Sequence, residues 1–291
     1  FLWARLARVY PLHLATLAGL GLVAGAATIA GFAVDPNILS WQALPANLLM
    51  IHAWGFAPVA GWNHPSWSIS AEWFAYLTFP VFAWAALKLK DRPRLAVAGA
   101  IAFLAGLYLV FEAATGQSLT RATIAWGALR IVPCFAYGCA LHALWRGTLG
   151  SGQASAAAGA LISGALVAGF AAAGVHDSVI VASMGGLIFF LARMADSGSK
   201  AFGNHKLVYL GEISYSVYMV CVPWQIVFVN AATRLLKLNS DQLPLPLWIV
   251  FSIGVIPLAA CSYHLIEKPM RARMKGWSDS WGARRQAVAG A

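Results

Sequence analysis

Residues 65–80 read Pro65-Ser66-Trp67-Ser68-Ile69-Ser70-Ala71-Glu72-Trp73-Phe74-Ala75-Tyr76-Leu77-Thr78-Phe79-Pro80. This stretch opens an apolar span, yet it places the carboxylate of Glu72 a few residues inside that span. An ionisable group inside a membrane span is costly, and it is a functional-site hypothesis by default. On a helix Ser68, Glu72 and Tyr76 recur every four residues and form one polar stripe. The alternative is a carboxylate that the helix dipole and some arginine stabilise.

The composition indicates an integral membrane protein. Hydrophobic residues make up 60% of the chain and charged residues 10%, whereas soluble domains carry about 25% charged residues. Several apolar runs have the roughly 20 residues that a membrane-spanning helix needs. We therefore predict an all-α fold, a polytopic transmembrane helical bundle with about eight spans in this chain. The predicted spans are Leu12–Val34, Ser66–Leu87, Leu95–Ala114, Ile124–Trp145, Ser155–Val175, Ser178–Met194, Leu207–Ala232 and Leu245–Ile266.

The charge distribution predicts the orientation. The net charge is +10, but the basic residues cluster at span ends and not in aromatic-interleaved patches, which argues against nucleic acid as a partner. If the spans alternate, sixteen of the twenty Lys and Arg residues lie on one side. Only Arg121, Arg234 and Lys237 lie on the other, and Arg130 lies within a span. The positive-inside rule then predicts a multi-pass protein of the cell (cytoplasmic or inner) membrane, with Phe1 on the cytoplasmic side.

This topology places the loop from about residue 35 to residue 65 outside, with His52 and Asn63 in it. The segment Gln42–Pro58 is apolar, but it is too short and too interrupted by proline to span, so it is an interfacial or re-entrant helix. A lone histidine at a span end, such as His13, is more often interfacial than catalytic. The four cysteines lie in apolar spans and are expected to act as small hydrophobic residues, so no metal site is expected.

Two arginines and a proline mark the start of the chain. Arg5 and Arg8 are three residues apart and share a helix face, where two guanidinium groups make a good clamp for phosphate. The alternative is that both are ordinary positive-inside anchors. Arg130, near the middle of its predicted span, needs a partner or an aqueous cavity. Glu72 is one possible partner, in a purely structural pair, and a bound anion is another.

A late span carries hydroxyl groups on one face. Ser214, Tyr218 and Cys221 lie at helical spacing, and Tyr215 lies on an adjacent face. Buried hydroxyl groups either tie helices together or contact a substrate. The last span ends in Ile266-Glu267-Lys268-Pro269-Met270-Arg271, whose charges predict anchoring at the cytoplasmic surface.

These motifs together resemble the membrane-bound acyltransferase 3 family. In chain order, the matches are Arg5-Leu6-Ala7-Arg8-Val9-Tyr10-Pro11; Trp67-Ser68-Ile69-Ser70-Ala71-Glu72; Arg130, Pro133, Phe135 and Gly138; Gly211, Ser214, Tyr215 and Tyr218; and Ile266, Glu267, Pro269 and Arg271. The resemblance implies an enzyme that transfers an acyl group, usually acetyl from acetyl-CoA, to a hydroxyl of a carbohydrate, a lipid-linked glycan or another exported acceptor in the membrane envelope.

The resemblance also implies site residues. Arg5 and Arg8 would bind the phosphates of acyl-CoA, and Glu72 and Arg130 would be catalytic, with Arg130 stabilising the oxyanion. The residues expected to contact the acceptor are Trp67, Ser68, Tyr76, Ser214, Tyr215 and Tyr218. We expect membrane lipids as partners, and we expect no metal ion.

Two departures from the family pattern shape the expectation. The family carries an Arg-x10-His motif in its first two helices, and no Arg here has a His eleven residues later. We therefore expect residues 1–275 to form an acyltransferase transmembrane domain that lacks two of ten helices, with the catalytic histidine upstream of Phe1 and this chain alone inactive. Residues 276–291 would be a short basic cytoplasmic tail. The second departure is Cys221, where many members have His.

Two rival interpretations use the same residues. One is a transporter or flippase of a lipid-linked saccharide, with Glu72 and Arg130 as its midplane binding pair. The other is a structural relative without catalytic activity.

Overall fold

The computed structural model describes residues 1–32, 34–36, 38–147, 153–198, 203–238 and 243–289, and every regular element in this part is helical. Lys200, which belongs to the sixteen basic residues counted above, and the last two residues of the predicted tail lie outside it. The side chains of Arg284 and Arg285 are also not among the described ones.

The helices follow one another as α1 Leu2–Ile29, α2 Leu44–Leu48, α3 Trp67–Leu77, α4 Phe79–Lys88, α5 Pro93–Thr115, α6 Gly127–Arg146, α7 Gln153–Ala172, α8 Asp177–Asp196, α9 His205–Leu235, α10 Leu245–Ser262 and α11 Lys268–Ala289. Within the described residues, seven helical segments are long and apolar enough to cross a membrane. The prediction of an all-α polytopic bundle is confirmed, and seven of the eight predicted spans correspond to these segments.

The remaining predicted span, Ser66–Leu87, is the second in chain order, and it is wrong as a single helix. It consists of α3 and α4, which meet at Thr78. Pro80 has no backbone N–H, and its ring disfavours helical backbone at Phe79, so a helix tends to end just before such a pair. The Thr78 hydroxyl donates to the Phe74 carbonyl at 2.8 Å, which satisfies one of the carbonyls at the end of α3.

The chain divides into two compact units. The first comprises Phe1–His52, Phe56–Ile69 and Tyr209–Ala291, and the second comprises Ala53–Gly55 and Ser70–Val208. The boundary therefore passes through α3, between Ile69 and Ser70.

In the first unit, α1 packs against α11 and against the short π-helical turn Tyr263–Glu267 that joins α10 to α11. The Trp3 indole N–H donates to the Met274 carbonyl at 2.7 Å, so the starts of α1 and α11 lie together. The Tyr215 hydroxyl donates to the Val9 carbonyl at 2.7 Å and ties α9 to α1. These bonds tie α1 to both α9 and α11.

In the second unit, α7 pairs with α8 and α5 with α6. The core residues are Leu104, Tyr108, Phe111, Leu119 and Tyr137. Close packing depends on a small residue, because a Cβ atom at Gly185 of α8 would overlap the ring of Tyr137. Small residues at helix contacts are typical of membrane bundles.

Candidate functional site

In the first unit, five polar side chains of α1 and of residues 44–66 have almost no exposed surface. They belong to His13, Asn47, His52, Asn63 and Ser66, and each is at most 2% exposed. We call these residues the buried polar cluster. Polar side chains are rarely buried in this way unless their hydrogen bonds are satisfied or they serve a function.

The segment before α3 brings this cluster together. Trp62 adopts a left-handed backbone conformation, with φ of 61°, and its indole N–H donates to the Ser40 carbonyl at 2.9 Å. Its ring packs with Ala43 and with Leu17 of α1. The segment predicted to be an interfacial or re-entrant helix is thus a set of short helical turns folded against α1. His52 of this segment and Asn63 beyond it, which we placed in an outer loop, are buried inside the unit.

The hydrogen bonds of His13 identify its tautomer. His13 Nε2 lies 2.8 Å from the backbone carbonyl oxygen of Asn47. A carbonyl oxygen only accepts, so Nε2 carries the proton and Nδ1 of the neutral ring has a free lone pair. His13 is 0% exposed. Because α1 begins at Leu2 and not at the predicted start Leu12, His13 lies well within the helix.

Several polar atoms of the cluster remain without a bond. His52 Nε2 lies 3.0 Å from the Ser66 hydroxyl, and the Asn63 amide donates to the Met219 carbonyl at 2.9 Å. Within the described part of the chain, His13 Nδ1, His52 Nδ1 and the side-chain oxygens of Asn47 and Asn63 are buried without a hydrogen-bond partner. Each such atom costs about 1–3 kcal/mol. The cluster therefore has unused capacity for a polar ligand or for water.

The electrostatics keep His52 neutral. Burial, and then the neighbouring His13, lower the pKa of His52 to about 4. The rings of His13 and His52 stack with their centroids 5.9 Å apart. A neutral imidazole accepts a proton or a hydrogen bond, which is the chemistry that histidines supply in acid–base catalysis.

Two predicted acceptor-contacting residues meet beside this cluster. The Tyr218 hydroxyl donates to the Pro65 carbonyl at 2.8 Å, and the Ser68 hydroxyl lies 2.9 Å from Tyr218 Oη, to which it donates. Ser214 donates to the Gly211 carbonyl of its own helix at 2.8 Å. Trp67 is the first residue of α3 and is partly buried. The structure thus joins Ser68 to Tyr218, while Ser214 and Tyr215 form other bonds.

The two predicted catalytic residues lie in the second unit. The Tyr76 hydroxyl donates to the Glu72 carboxylate, so the helical stripe predicted from their spacing is confirmed for this pair. Arg130 lies in the first turn of α6 and donates to the Ala122 carbonyl at 3.2 Å. Its predicted place near the middle of a span is wrong, because irregular chain precedes Gly127. Pairing of Glu72 with Arg130 stays a prediction.

The predicted phosphate clamp lies at the start of α1. Arg8 is exposed, and the Arg5 guanidinium lies 5.4 Å from the centroid of the Phe1 ring.

Glu267, which we expected to mark the surface, is only 2% exposed, so that prediction is wrong. The π-helical turn directs Glu267 inward, where the Ser216 hydroxyl donates to its carboxylate at 2.8 Å.

Comparison with known proteins identifies the family. The sequence model of the family described as "Acyltransferase domain" matches residues 1–264. The chain belongs to this acyltransferase family. Over 83 residues it is 40% identical to Acyltransferase MdmB of Streptomyces mycarofaciens; the match covers 27% of this chain and 20% of that protein. The chain thus aligns with about a fifth of the length of this relative. No solved structure matches the chain.

The sequence did not predict that four residues of the buried polar cluster belong to a site. They are Asn47, His52, Asn63 and Ser66. One signal was present, because Asn47 and His52 interrupt an otherwise apolar segment. A polar residue in such a segment needs a partner, but nothing in the spacing names His13 or Ser66 as that partner.

Proposed function

We propose that the protein transfers an acyl group, most simply acetyl, from acyl-CoA to a hydroxyl of a carbohydrate or another envelope or exported acceptor. The observation that carries this proposal is the family match, which runs from the first arginines to the end of the last apolar span. The family supplies the reaction class, and the donor and the acceptor are parts of the proposal.

The donor is proposed from the basic start of α1. Coenzyme A carries phosphate groups, and guanidinium groups bind phosphate through planar, charged hydrogen bonds. Arg5 and Arg8 lie on one helix face, three residues apart. The charge count predicts that this end faces the cytoplasm, where acyl-CoA is made.

The chemistry requires a place for a proton. As the acceptor oxygen attacks the thioester carbonyl, the new ester C–O bond forms, the C–S bond breaks, and the hydroxyl proton ends on the departing thiol. The family resemblance assigns the base to the histidine of the Arg-x10-His motif. We propose that the buried polar cluster assists, with His13 Nδ1 accepting a hydrogen bond from a hydroxyl group or from a water molecule.

Glu72 and Arg130 complete the proposal. Glu72 would orient or stabilise the protonated base, and Arg130 would stabilise the oxyanion that forms at the thioester carbonyl. Neither residue belongs to the N-terminal arginine pair that we propose to bind the donor. Substitutions of Glu72 or Arg130 can therefore test catalysis separately from donor binding.

The test uses the complete gene product in membrane vesicles with acetyl-labelled acetyl-CoA and a crude envelope glycan fraction. We expect label to appear in alkali-labile esters, with one equivalent of free thiol released per ester. Vesicles without the protein are the control. Movement of unmodified lipid-linked saccharide across the vesicle membrane, without labelled ester and without thiol release, would replace this proposal with the transporter interpretation.

A further inference from the structure

Glu267 is a buried carboxylate that the proposed chemistry does not use. It ends the π-helical turn Tyr263–Glu267 and is 2% exposed. Ser216 of α9, itself fully buried, donates to its Oε2 at 2.8 Å. Turns of π-helix are rare in proteins, and a large share of those that form lie at functional sites. A buried carboxylate in such a turn needs cationic partners.

Two arginines from different helices act on this carboxylate. Arg271 lies one turn further along the chain, on α11, and its Nη1 is 3.8 Å from Glu267 Oε1. Arg8 of α1 interacts electrostatically with the same group, and α1 packs against both the π-helical turn and α11. Arg8 and Arg271 thus lie on two helices that pack together next to Glu267.

Both arginine side chains remain exposed. The Arg271 side chain is 39% exposed, and Arg8 is exposed as well. A guanidinium group has five N–H donors, and one carboxylate oxygen at 3.8 Å engages few of them. Exposed guanidinium groups at a positively charged helix end fit a phosphate-bearing ligand.

We propose that Arg271 is a third member of the anion site begun by Arg5 and Arg8, that Glu267 positions it, and that the site binds the phosphate groups of the acyl-CoA donor. This inference rests on the proposed function, which makes acyl-CoA the donor. It adds a binding residue from the far end of the chain, because Arg271 follows Arg8 by more than 260 positions. A diphosphate together with a separate phosphate monoester carries more charge than two arginines neutralise.

The test measures dissociation constants with the complete gene product in detergent. The ligands are acetyl-CoA and S-acetylpantetheine, which has the same thioester arm without any phosphate. We expect Arg271→Ala to weaken acetyl-CoA binding about tenfold, which is 1.4 kcal/mol, and to leave S-acetylpantetheine binding unchanged. Arg271→Lys should recover part of the loss, and added salt should narrow the difference between wild type and Arg271→Ala.

Arg273 provides the matched control. It lies two residues along α11, is exposed, and contacts only the Met270 sulfur, at 4.0 Å, among the contacts seen for it. Arg273→Ala should leave both dissociation constants within about twofold, a surface-charge effect. Glu267→Gln keeps a group that accepts from Ser216 but removes the charge that positions Arg271. Acetyl-CoA binding should therefore weaken about threefold, as expected for the loss of one partly exposed ion pair.

Three outcomes overturn the inference, and they can be told apart. If Arg271→Ala behaves like Arg273→Ala while Arg8→Ala weakens acetyl-CoA binding, the donor site exists without Arg271. If Arg271→Ala weakens both ligands equally, its role is to join α1 to α11. If wild-type protein does not bind acetyl-CoA, the donor assignment in the proposed function fails, and this inference fails with it.

Discussion

The imidazole rings of His13 and His52 lie parallel inside the first unit, with their planes 6° apart and their centroids 5.9 Å apart. One ring comes from α1 and the other from the turn that follows α2. Both are nearly inaccessible to solvent. Burial and the neighbouring ring both disfavour a proton on His52, so this imidazole is neutral in the folded protein at pH 7.

The neutral imidazole of His52 predicts acid sensitivity. His52 has a pKa of about 4 in the folded protein and 6.5 when unfolded, so the unfolded chain binds more protons between these values. The free energy of unfolding should therefore rise with pH from about 4 to 6.5 and stay constant above that. At 1.36 kcal/mol per pH unit, the loss over the whole window is about 3 kcal/mol. Thermal unfolding in detergent between pH 4.5 and 7.5 measures it.

Two variants isolate the contribution of His52. His52→Gln retains a group that can bond to Ser66 but does not titrate, so its unfolding temperature should depend less on pH than that of the wild type. His64→Gln is the control, because His64 is an exposed histidine in the same segment. Equal pH dependence in all three proteins would show that the titration of His52 is not linked to folding.

A larger residue at position 185 should create a packing defect. A methyl group at this position would overlap the Tyr137 ring, which is buried and held by a 3.0 Å hydrogen bond from its hydroxyl to the Ala182 carbonyl. We expect Gly185→Ala to destabilise the protein by about 1–3 kcal/mol. Gly186→Ala, the adjacent position on α8, meets only an ordinary contact with Ser163. It should be neutral or stabilising by up to about 1 kcal/mol, so unfolding temperatures that fall equally for both would contradict this account.

The spans were predictable because each is a local property of the chain. A run of about 20 apolar residues folds as a helix in a membrane regardless of what surrounds it. The bond between Tyr76 and Glu72 was equally predictable, because helical spacing alone brings them together. The break at Thr78 was missed because Pro80 was counted as part of one apolar run.

The buried polar cluster could not be predicted in the same way. His13 and Asn47 are 34 positions apart, and Ser66 follows His52 by 14. Their meeting depends on how irregular chain folds against α1, and a hydropathy pattern carries no information about that. Glu267 illustrates the same limit. A charged residue two positions before a proline at the end of a span predicts a surface anchor, but the π-helical turn directs it inward.

The bond between Ser68 and Tyr218 predicts an effect on the acceptor side. Tyr218→Phe removes the hydroxyl that both donates to Pro65 and accepts from Ser68. If this hydroxyl pair contacts the acceptor, the KM for acceptor should rise about fivefold to tenfold, which is about one hydrogen bond, with the dissociation constant for acetyl-CoA unchanged.

Thr233→Ala on the same helix is the control for this prediction. The Thr233 hydroxyl bonds only to carbonyls of its own helix, at 2.8 Å to Val229 and 3.3 Å to Asn230, in the bonds seen for it. It should leave both constants within twofold. A fall in unfolding temperature for Tyr218→Phe without any change in KM would make the hydroxyl pair a link between helices and nothing more.

Substitution of Glu72 can separate the effect of its negative charge from its structural role in α3. Glu72→Gln keeps an oxygen that accepts from the Tyr76 hydroxyl, so α3 should remain intact while the negative charge is lost. If the carboxylate supports the base, kcat should fall about 100-fold or more, with the dissociation constant for acetyl-CoA within twofold. Glu112→Gln is the matched control, because Glu112 is a partly exposed carboxylate paired at 2.7 Å with His176 in the same unit. Full activity in Glu72→Gln, with normal expression, would reduce Glu72 to a structural partner of Tyr76.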